Sequence, residues 1–310
     1  MKFSIVGMGR VGSAIAFAAT MEPIVSELWL LNRSVAKAEG DAMDLTHASV
    51  LRNSNMTIQA GSVEESAGSD VIVFTPSVSP TRKDWKRSDL ALGNRGILEE
   101  WLPRLAELSP NAVLIMVTNP VDVMTYEAIR LTGFPPERVI GTGTLVDSIR
   151  YRSLLSAELQ IHADDIRAYI LGEHGDDQFA AYSVATTGGE KFFPSETTRR
   201  LFQETVNLGY EVYNRKGYTN YGIALATMTI VDSIVYDLRH TMPVSVMVNG
   251  FLGVSDVCLS LPAVIGRQGV TRVLHPPLSD GEAESFRKCA AKVRQTIDMV
   301  QGRREFTEEP

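Results

Sequence analysis

One histidine, set between two glycines, has the residue type and the surroundings that proton transfer requires. His174 lies in the segment LGEHGD, residues 171–176. An imidazole has an unperturbed pKa of about 6.5, so it can donate and accept a proton near neutral pH. The flanking glycines let the backbone bend and let a small molecule approach the ring. Because a lone histidine is more often a core or surface residue, a catalytic role depends on what the chain places beside it.

An aspartate and an arginine three residues apart are candidates to act with that histidine. Asp147 and Arg150 follow Thr144, a residue type that favours a helix N-terminus, and residues at i and i+3 share a helix face. The carboxylate could orient the imidazole, and the guanidinium could bind a substrate carboxylate through two hydrogen bonds. The alternative is a surface ion pair that stabilises the helix only slightly. Spacing alone leaves both open.

The N-terminus has the order strand, glycine-rich turn, helix. Residues 3–6 are strand-like, residues 7–12 read GMGRVG, and an alanine-rich helix is predicted over 13–21. This order is the context that a dinucleotide-binding fingerprint requires.

Each glycine of the fingerprint has a separate task. Gly7 makes the tight turn, Gly9 lets the backbone approach a pyrophosphate, and Gly12 lets helix and strand pack closely. Arg10 and Val11 belong to the same turn, where the helix N-terminus would receive the phosphate charge. We therefore predict a dinucleotide cofactor at this turn.

The end of the second strand bears on which dinucleotide binds. Strand 28–31 is followed by Asn32 and Arg33, about twenty residues beyond the glycines, where NAD sites usually place an acidic residue for the ribose 2′-hydroxyl. An asparagine does not repel a 2′-phosphate, and an arginine can bind one. Alternatively, Asn32 binds the NAD ribose less well and Arg33 faces solvent. The sequence therefore predicts NAD or NADP.

The order of the elements predicts two domains. Further strands are predicted in the first half at 56–59, 71–75 and 113–117, with a helix at 35–49. In the last third, strands are predicted at 166–171, 179–187, 244–248 and 256–261, and helices at 195–214, 223–238 and after 279. Alternation predicts an α/β fold with a doubly wound parallel sheet of Rossmann type over residues 1–142, and the non-alternating part predicts an α+β catalytic domain over 143–310.

Composition excludes several functional classes. The net charge of −7 among 310 residues argues against binding nucleic acid or anionic membranes. No apolar run is long enough for a membrane span. Cys258 and Cys289 form no disulfide framework and have no metal-ligand spacing, so no metal is predicted. We expect a cytoplasmic protein.

A basic loop separates two of the predicted elements. Between strand 71–75 and the helix that follows Ser88, the loop contains Arg82, Lys83, Lys86 and Arg87. Such a charge run is usually a solvated face. At the end of a dinucleotide-binding sheet, it could instead be a lid that carries an arginine onto an anion.

Taken together, these motifs resemble the L-lactate and malate dehydrogenases over nearly the full chain. Six segments match in order: GMGRVG at 7–12, RSDL at 87–90, TNPVD at 118–122, LVDSIR at 145–150, GEHGD at 172–176 and KGYT at 216–219. The resemblance implies hydride transfer between a nicotinamide and C2 of a 2-oxo or 2-hydroxy acid. It also implies a homodimer or homotetramer.

The resemblance assigns roles to individual residues. It implies that His174 donates and accepts the proton and that Asp147 orients it. Arg150 would bind the substrate carboxylate, and Arg87 on a closing lid would polarise the 2-oxo group, which becomes negatively charged as hydride adds. The remaining implied contacts are Asn119 and Thr219 at the substrate, and Thr75, Asn94, Thr118 and Asn119 at the cofactor.

Two positions depart from the family pattern. Six residues before the lid arginine, lactate dehydrogenases have glutamine and malate dehydrogenases have arginine, whereas this chain has Thr81. A small neutral side chain cannot pair a second carboxylate, although Arg82 or Lys83 could substitute. Gly209 occupies a pocket position often filled by alanine, so it makes room. We predict an L-2-hydroxy acid dehydrogenase of the lactate dehydrogenase type that accepts larger aliphatic side chains, with malate dehydrogenase as the alternative.

Other comparisons within the resemblance are less direct. Segments 218–222 and 262–267 are similar to the L-2-hydroxyisocaproate dehydrogenase branch. Arg152 and Arg167 stand where allosteric bacterial relatives bind a sugar bisphosphate, so they form either an anion site or interface salt bridges. A non-catalytic dinucleotide-binding redox sensor is the remote alternative, because a sensor does not need His174 together with its acidic and basic partners.

Overall fold

The computed structural model describes residues 1–22, 25–52, 55–78, 87–192 and 194–302. Its helices are α1 (Arg10–Ala19), α2 (Val35–Val50), α3 (Arg87–Leu108), α4 (Val121–Thr132), α5 (Leu145–Leu159), α6 (Glu196–Lys216), α7 (Tyr221–Val235) and α8 (Asp280–Val300). Within these ranges, none of the helices is long and apolar enough to cross a membrane.

The strands of the first half are β1 (Lys2–Val6), β2 (Glu27–Leu31), β3 (Thr57–Gly61), β4 (Val71–Phe74), β5 (Val113–Met116) and β6 (Val139–Gly141). Those of the second half are β7 (Ile166–Arg167), β8 (Ile170–Leu171), β9 (Phe179–Ala180), β10 (Thr186–Thr187), β11 (Glu190–Lys191), β12 (His240–Asn249), β13 (Ser255–Gly266) and β14 (Gly269–Val273).

The main sheet has nine strands in the order β14-β13-β12-β6-β5-β4-β1-β2-β3. Strands β1 to β6 are parallel, in the doubly wound order that the alternating sequence predicts. Every residue of β4 and β5 is buried, as expected for strands covered by helices on both faces. The chain turns from one side of the sheet to the other between β1 and β4, and ligands of such folds bind at that point.

Strands β12 to β14 add antiparallel to the edge of the same sheet. Ser245 of β12 pairs with Gly141 of β6, so the main sheet continues past the predicted division between residues 142 and 143. The mixed α/β architecture is confirmed, and it includes a parallel Rossmann sheet. The exact division stays a prediction, because a boundary within one continuous sheet is not marked by a break in pairing.

Several predicted elements need correction. Helix α1 begins at Arg10, three residues earlier than predicted, because the chain enters the helix directly after Gly9. The predicted strand at 166–171 is interrupted between β7 and β8. The predicted strand at 179–187 contains a short 3-10 helix at Tyr182–Val184. The hairpin strands β12 and β13 are longer than predicted, since both belong to the main sheet.

Candidate active site

The glycine-rich turn has the geometry that the fingerprint predicts. Gly7 has φ +90°, and a Cβ there would lie 2.9 Å from Pro76 Cγ. A Cβ at Gly12 would lie 1.9 Å from the carbonyl oxygen of Gly7, which leaves no space for a side chain. At Gly9, by contrast, a Cβ would meet no atom within 4 Å. The turn is therefore tightly packed at Gly7 and Gly12 and open at Gly9, as a bound pyrophosphate requires.

Two threonines predicted at the cofactor fix the loops around this turn. The Thr75 hydroxyl donates to the carbonyl oxygens of Val6 and Gly7, at 2.9 and 2.7 Å. The buried Thr118 hydroxyl donates to the carbonyl oxygen of Pro76 at 2.7 Å. Both hydroxyls are thus bonded to backbone, and their structural part is to hold the ends of β1, β4 and β5 together.

Asn94, for which the resemblance implies a cofactor contact, bonds within the protein. Its side chain is fully buried. The amide oxygen accepts from Val78 N at 2.7 Å, while the amide nitrogen donates to Ser77 Oγ at 3.1 Å and to Asn119 O at 2.6 Å. Since these bonds use the amide inside the protein, Asn94 positions Asn119 and the residues after β4.

Arg10 joins the fingerprint helix to the segment KGYT. Its guanidinium lies 4.2 Å from the ring centroid of Tyr218, a cation–π contact. Val11, the next residue of α1, lines a small cavity together with Thr219 and His174. The predicted cofactor residues at 10 and 11 therefore face the predicted substrate residues.

Asn32 and Arg33 lie at the end of β2, as predicted. The Asn32 amide accepts from Met8 N at 3.4 Å and donates to the carbonyl oxygen of Ser34 at 3.1 Å. Arg33 forms an ion pair with Glu100 on α3, and both side chains are exposed. An exposed pair contributes about 0–1 kcal/mol, so a 2′-phosphate could displace Glu100.

His174, Asp147 and Arg150 converge in the way that a catalytic role requires. His174 Nδ1 lies 2.7 Å from Asp147 Oδ2, and Arg150 Nη1 donates to Asp147 Oδ1 at 3.0 Å. A carboxylate at Nδ1 favours the ring orientation and tautomer in which Nε2 exchanges a proton with a ligand. The ion pair is therefore a link in a site, rather than the surface pair that was the alternative.

Asp147 is 3% exposed and yet remains ionised. Burial acts to raise its pKa, but the charge and hydrogen bond of His174 and the charge of Arg150 outweigh burial, so the pKa lies below its usual value of 3.8. The carboxylate thus carries its charge at neutral pH, where it stabilises an imidazolium.

Buried hydrogen bonds fix helix α5 to the strand that precedes the histidine. Thr144 stands at the N-terminus of α5, but its hydroxyl does not cap the helix and instead donates to Ile170 O at 2.6 Å. The Thr144 backbone N–H donates to Ser260 Oγ at 3.0 Å. Ser148 Oγ accepts from Ile170 N at 2.9 Å. These bonds hold α5 against β8 and so set the position of Asp147 relative to His174.

The histidine loop is anchored to two further elements. Gly172 exchanges backbone hydrogen bonds with Ser260 of β13, at 3.1 and 2.8 Å. The backbone N–H of His174 donates to Asp122 Oδ2 on α4 at 2.8 Å. Sequence reasoning assigned no role to Asp122, although it is the last residue of the segment TNPVD and that position was a usable signal.

Helix α8 holds the same loop from outside. Lys292 Nζ lies 2.5 Å from Asp177 Oδ2 and 3.3 Å from Glu173 Oε2. Lys288 Nζ lies 2.8 Å from Asp177 Oδ1. The sequence does not predict a role for these lysines, because no motif links α8 to a loop more than a hundred residues earlier.

His174 lies where two cavities meet. The larger, of about 590 Å³, is lined by the predicted substrate residues Asn119, Arg150, Gly209 and Thr219. The smaller, of about 100 Å³, shares Asn119, Arg150, His174 and Thr219 with it and reaches Val11. The histidine therefore faces both helix α1 and the larger cavity. The peptide bond from Asn119, which lines both cavities, to Pro120 is cis.

One wall of the larger cavity is a face of α6. Val206, Gly209, Tyr210 and Tyr213 recur there at helical spacing. A Cβ at Gly209 would lie 3.3 Å from Arg150 Nη1, so an alanine would crowd the guanidinium. The Tyr210 hydroxyl donates to Asp176 across the cavity.

Some predicted residues fall outside what the structure describes. Thr81, Arg82 and Lys83 belong to the undescribed range 79–86, and so does most of the predicted lid. Arg87 is the first residue of α3, but its side chain also lies outside the described atoms. Leu90, three residues further along α3, lines the larger cavity.

The predicted anion-site arginines lie on α5 and β7. Burial lowers the pKa of Arg152, and nearby Arg167 lowers it further, while the charge of Asp164 opposes both. As for metals, the described part of the chain contains no cluster of three His, Cys, Asp or Glu residues that could hold one. Cys258 and Cys289 are buried free thiols.

The two halves match two family models. Residues 1–141 match the model described as lactate/malate dehydrogenase, NAD binding domain. Residues 144–303 match the model described as lactate/malate dehydrogenase, alpha/beta C-terminal domain.

Individual relatives agree with these models. An L-lactate dehydrogenase of Gloeobacter violaceus is 38% identical, with 97% of this chain and 94% of the relative covered. One of Salinibacter ruber is 36% identical, with 96% and 97% covered. Among solved structures, the minor L-lactate dehydrogenase of Enterococcus mundtii has a TM-score of 0.92 at 30% identity and covers 96% of this chain and 98% of that one.

Proposed function

The chain belongs to the lactate/malate dehydrogenase family, and on that premise we propose that it is an NAD-dependent L-2-hydroxy acid dehydrogenase of the L-lactate dehydrogenase type. The observation that carries the proposal is the position of His174. Its ring is bonded to Asp147 at 2.7 Å, and it stands between the cavity at the fingerprint helix and the cavity that contains Arg150.

The residues present fit a bound dinucleotide. The turn is open above Gly9, where a Cβ would meet nothing within 4 Å, and it leads into the N-terminus of α1, which favours a pyrophosphate. The glycine-rich turn would hold the pyrophosphate at Gly9, while Val11 and Asn119 line the smaller cavity that His174 also lines. When bound there, NADH supplies the hydride.

The protein's own groups account for the rest of the reduction. Arg150 binds the substrate carboxylate and so orients C2 of the 2-oxo acid. As hydride reaches C2, negative charge grows on the carbonyl oxygen, and a proton from His174 Nε2 neutralises it. Asp147 stabilises the imidazolium before that transfer and holds the ring during it. In the direction of oxidation, His174 accepts the hydroxyl proton.

The cavity favours a 2-oxo acid with one carboxylate. Among its described lining residues, Arg150 is the one permanent cation, and the α6 face is apolar and aromatic except at Asn214. A second carboxylate would have no basic partner there, whereas an aliphatic side chain would pack on Val206 and Tyr213. Malate dehydrogenase stays the second candidate, because Arg82 or Lys83 could pair a second carboxylate. Both residues lie outside the described residues.

Initial rates test this proposal directly. NADH and NADPH would each be assayed with pyruvate, 2-oxoisocaproate and oxaloacetate. We expect NADH to support reduction of pyruvate or 2-oxoisocaproate, and His174→Asn to lose turnover while it still binds NADH. A clear preference for oxaloacetate would assign the chain to malate, and a preference for NADPH would make Arg33 a phosphate ligand. Absence of turnover with all three acids would favour the remaining alternative, a non-catalytic redox sensor.

We also propose a homodimer or homotetramer, in the cytoplasm, that binds neither nucleic acid nor membranes. Exposed apolar side chains support assembly, with Met43 on α2 at 64% exposure and Leu225 on α7 at 64%. The net charge of −7 supports the absence of polyanionic partners. Light scattering after size-exclusion chromatography would give the mass in solution, and a monomer would contradict this proposal.

A further inference from the structure

Asp122 lies directly behind the histidine loop, in the first turn of α4. It is 2% exposed, and both of its carboxylate oxygens accept hydrogen bonds. Oδ2 accepts from the backbone N–H of His174 at 2.8 Å, and Oδ1 accepts from the hydroxyl of Ser245 at 2.6 Å. Burial of a carboxylate is costly unless hydrogen bonds compensate it, so a buried aspartate at this place calls for a reason.

Ser245 connects this aspartate to the main sheet. It is fully buried on β12, opposite Gly141 of β6. Its hydroxyl reaches Asp122, which in turn reaches the backbone of His174. The histidine is thus held at two points by two carboxylates. Asp147 holds its ring through Nδ1, and Asp122 holds its backbone.

We propose that Asp122 and Ser245 form a positioning pair for the proton-transfer histidine and act through hydrogen bonds to the His174 backbone. The inference rests on the proposed function, because His174 must transfer a proton for its position to affect turnover. It goes beyond that function by assigning two residues that touch neither substrate nor cofactor.

The charge state of Asp122 agrees with this role. Burial raises its pKa to about 6, although the hydrogen bonds from Ser245 and from the His174 backbone lower it in part. Above that pH the carboxylate has no proton, so both oxygens accept. An asparagine would retain an acceptor for His174 N–H and could donate to Ser245 Oγ. An alanine would leave a buried N–H and a buried hydroxyl without a partner.

The test compares Asp122→Ala, Asp122→Asn and Ser245→Ala with the wild type. We expect Asp122→Ala to lower kcat about tenfold to a hundredfold with little change in KM for NADH, because displacement of a reacting group by about 1 Å costs up to about a hundredfold. Ser245→Ala should lower kcat less, and Asp122→Asn should restore it to within about threefold of wild type. Ser233→Ala is the matched control, since Ser233 is equally buried and bonds Ile265 O on another face of the fold.

A second readout needs no turnover. The proton between His174 Nδ1 and Asp147 should give a downfield proton resonance, which is assigned by its loss in His174→Asn. We expect the resonance to persist in Asp122→Asn and Ser233→Ala and to broaden or shift in Asp122→Ala. If a wild type without turnover still shows these changes, the proposed function is wrong, although Asp122 and Ser245 still position the His174 ring.

Two results would overturn the pair. One is a folded Asp122→Ala variant that retains both kcat and the resonance. The other is Asp122→Asn damaged as severely as Asp122→Ala, because charge rather than hydrogen bonding would then be responsible. If Asp122→Ala does not fold, the comparison of Ser245→Ala with its control Ser233→Ala becomes the test. Equal kcat values and equal resonances in those two variants would overturn the proposal.

Discussion

Asp147 is shared by the imidazole and the guanidinium that handle the substrate, so its charge should matter at two levels. One oxygen meets His174 and the other meets Arg150, at 2.7 and 3.0 Å. Removing the charge while keeping the shape would leave the imidazolium without its counter-charge and would favour the wrong tautomer. The guanidinium would also lose the partner that holds it toward the cavity.

We therefore expect Asp147→Asn to lower kcat/KM for 2-oxo acid reduction by about 10²–10⁴-fold. The pH above which reduction slows should move downward, because a protonated His174 is less favoured without the carboxylate. Steady-state rates between pH 5 and 9 in the wild type and in Asp147→Asn would measure both effects. An unchanged pH profile would show that Asp147 orients the ring without stabilising its charge. The stability that ionised Asp147 contributes is present above pH 3.8 and is lost as the pH falls through its lowered pKa.

At the scale of elements, the histidine loop is held by parts of the chain that lie far apart. Helix α5 supplies Asp147, α4 supplies Asp122, and α8 supplies Lys292. At the last of these contacts, one lysine lies near two carboxylates. Lys292 faces Asp177 and buried Glu173 together, and although burial acts to lower its pKa, these carboxylates raise the pKa above its usual value.

Replacing Lys292 with methionine should therefore leave two carboxylates near each other with one cation fewer. Because Glu173 stays largely buried and loses the favourable charge of Lys292, we expect a marked loss of stability and a lower kcat. Lys288→Met is the matched control, since Lys288 is exposed and bonds the same Asp177. Urea unfolding of the two variants would measure the difference, and equal stabilities would show that Glu173 does not need Lys292.

The same contacts explain what could be predicted from sequence. Asp147 and Arg150 stand at a helical spacing and His174 stands in a glycine-flanked motif, so their convergence could be inferred from these motifs and the family they resemble. Asp122 bonds a backbone N–H, a contact that residue spacing does not reveal, so its place at the end of the segment TNPVD was the one signal for it. The α8 lysines meet the loop only through tertiary packing. Likewise, periodicity does not report the interruption between β7 and β8, because β7 pairs with β10 and β8 pairs with β9 in separate small sheets.

At the scale of the whole molecule, the continuous sheet decides how independent the two halves are. The family models divide the chain near residue 142, yet β6 and β12 pair across that division. Helix α1 of the first half also packs on α7 of the second half, and the Arg10 guanidinium contacts the Tyr218 ring. The two halves of the chain therefore share contacts beyond the sheet. A non-local pairing between strands so far apart in sequence could not be predicted from the pattern of either half.

This continuity predicts a single cooperative unfolding transition. All three tryptophans, Trp29, Trp85 and Trp101, belong to the first half, so their fluorescence reports on residues 1–142, while far-UV circular dichroism reports on all helices. If the shared sheet couples the halves, the two signals should give the same urea midpoint at a fixed protein concentration. Fluorescence that changes at a different midpoint would show that β6 and β12 separate before the halves unfold. The predicted division at residues 142 and 143 would then be a true folding boundary, despite the hydrogen bonds that cross it.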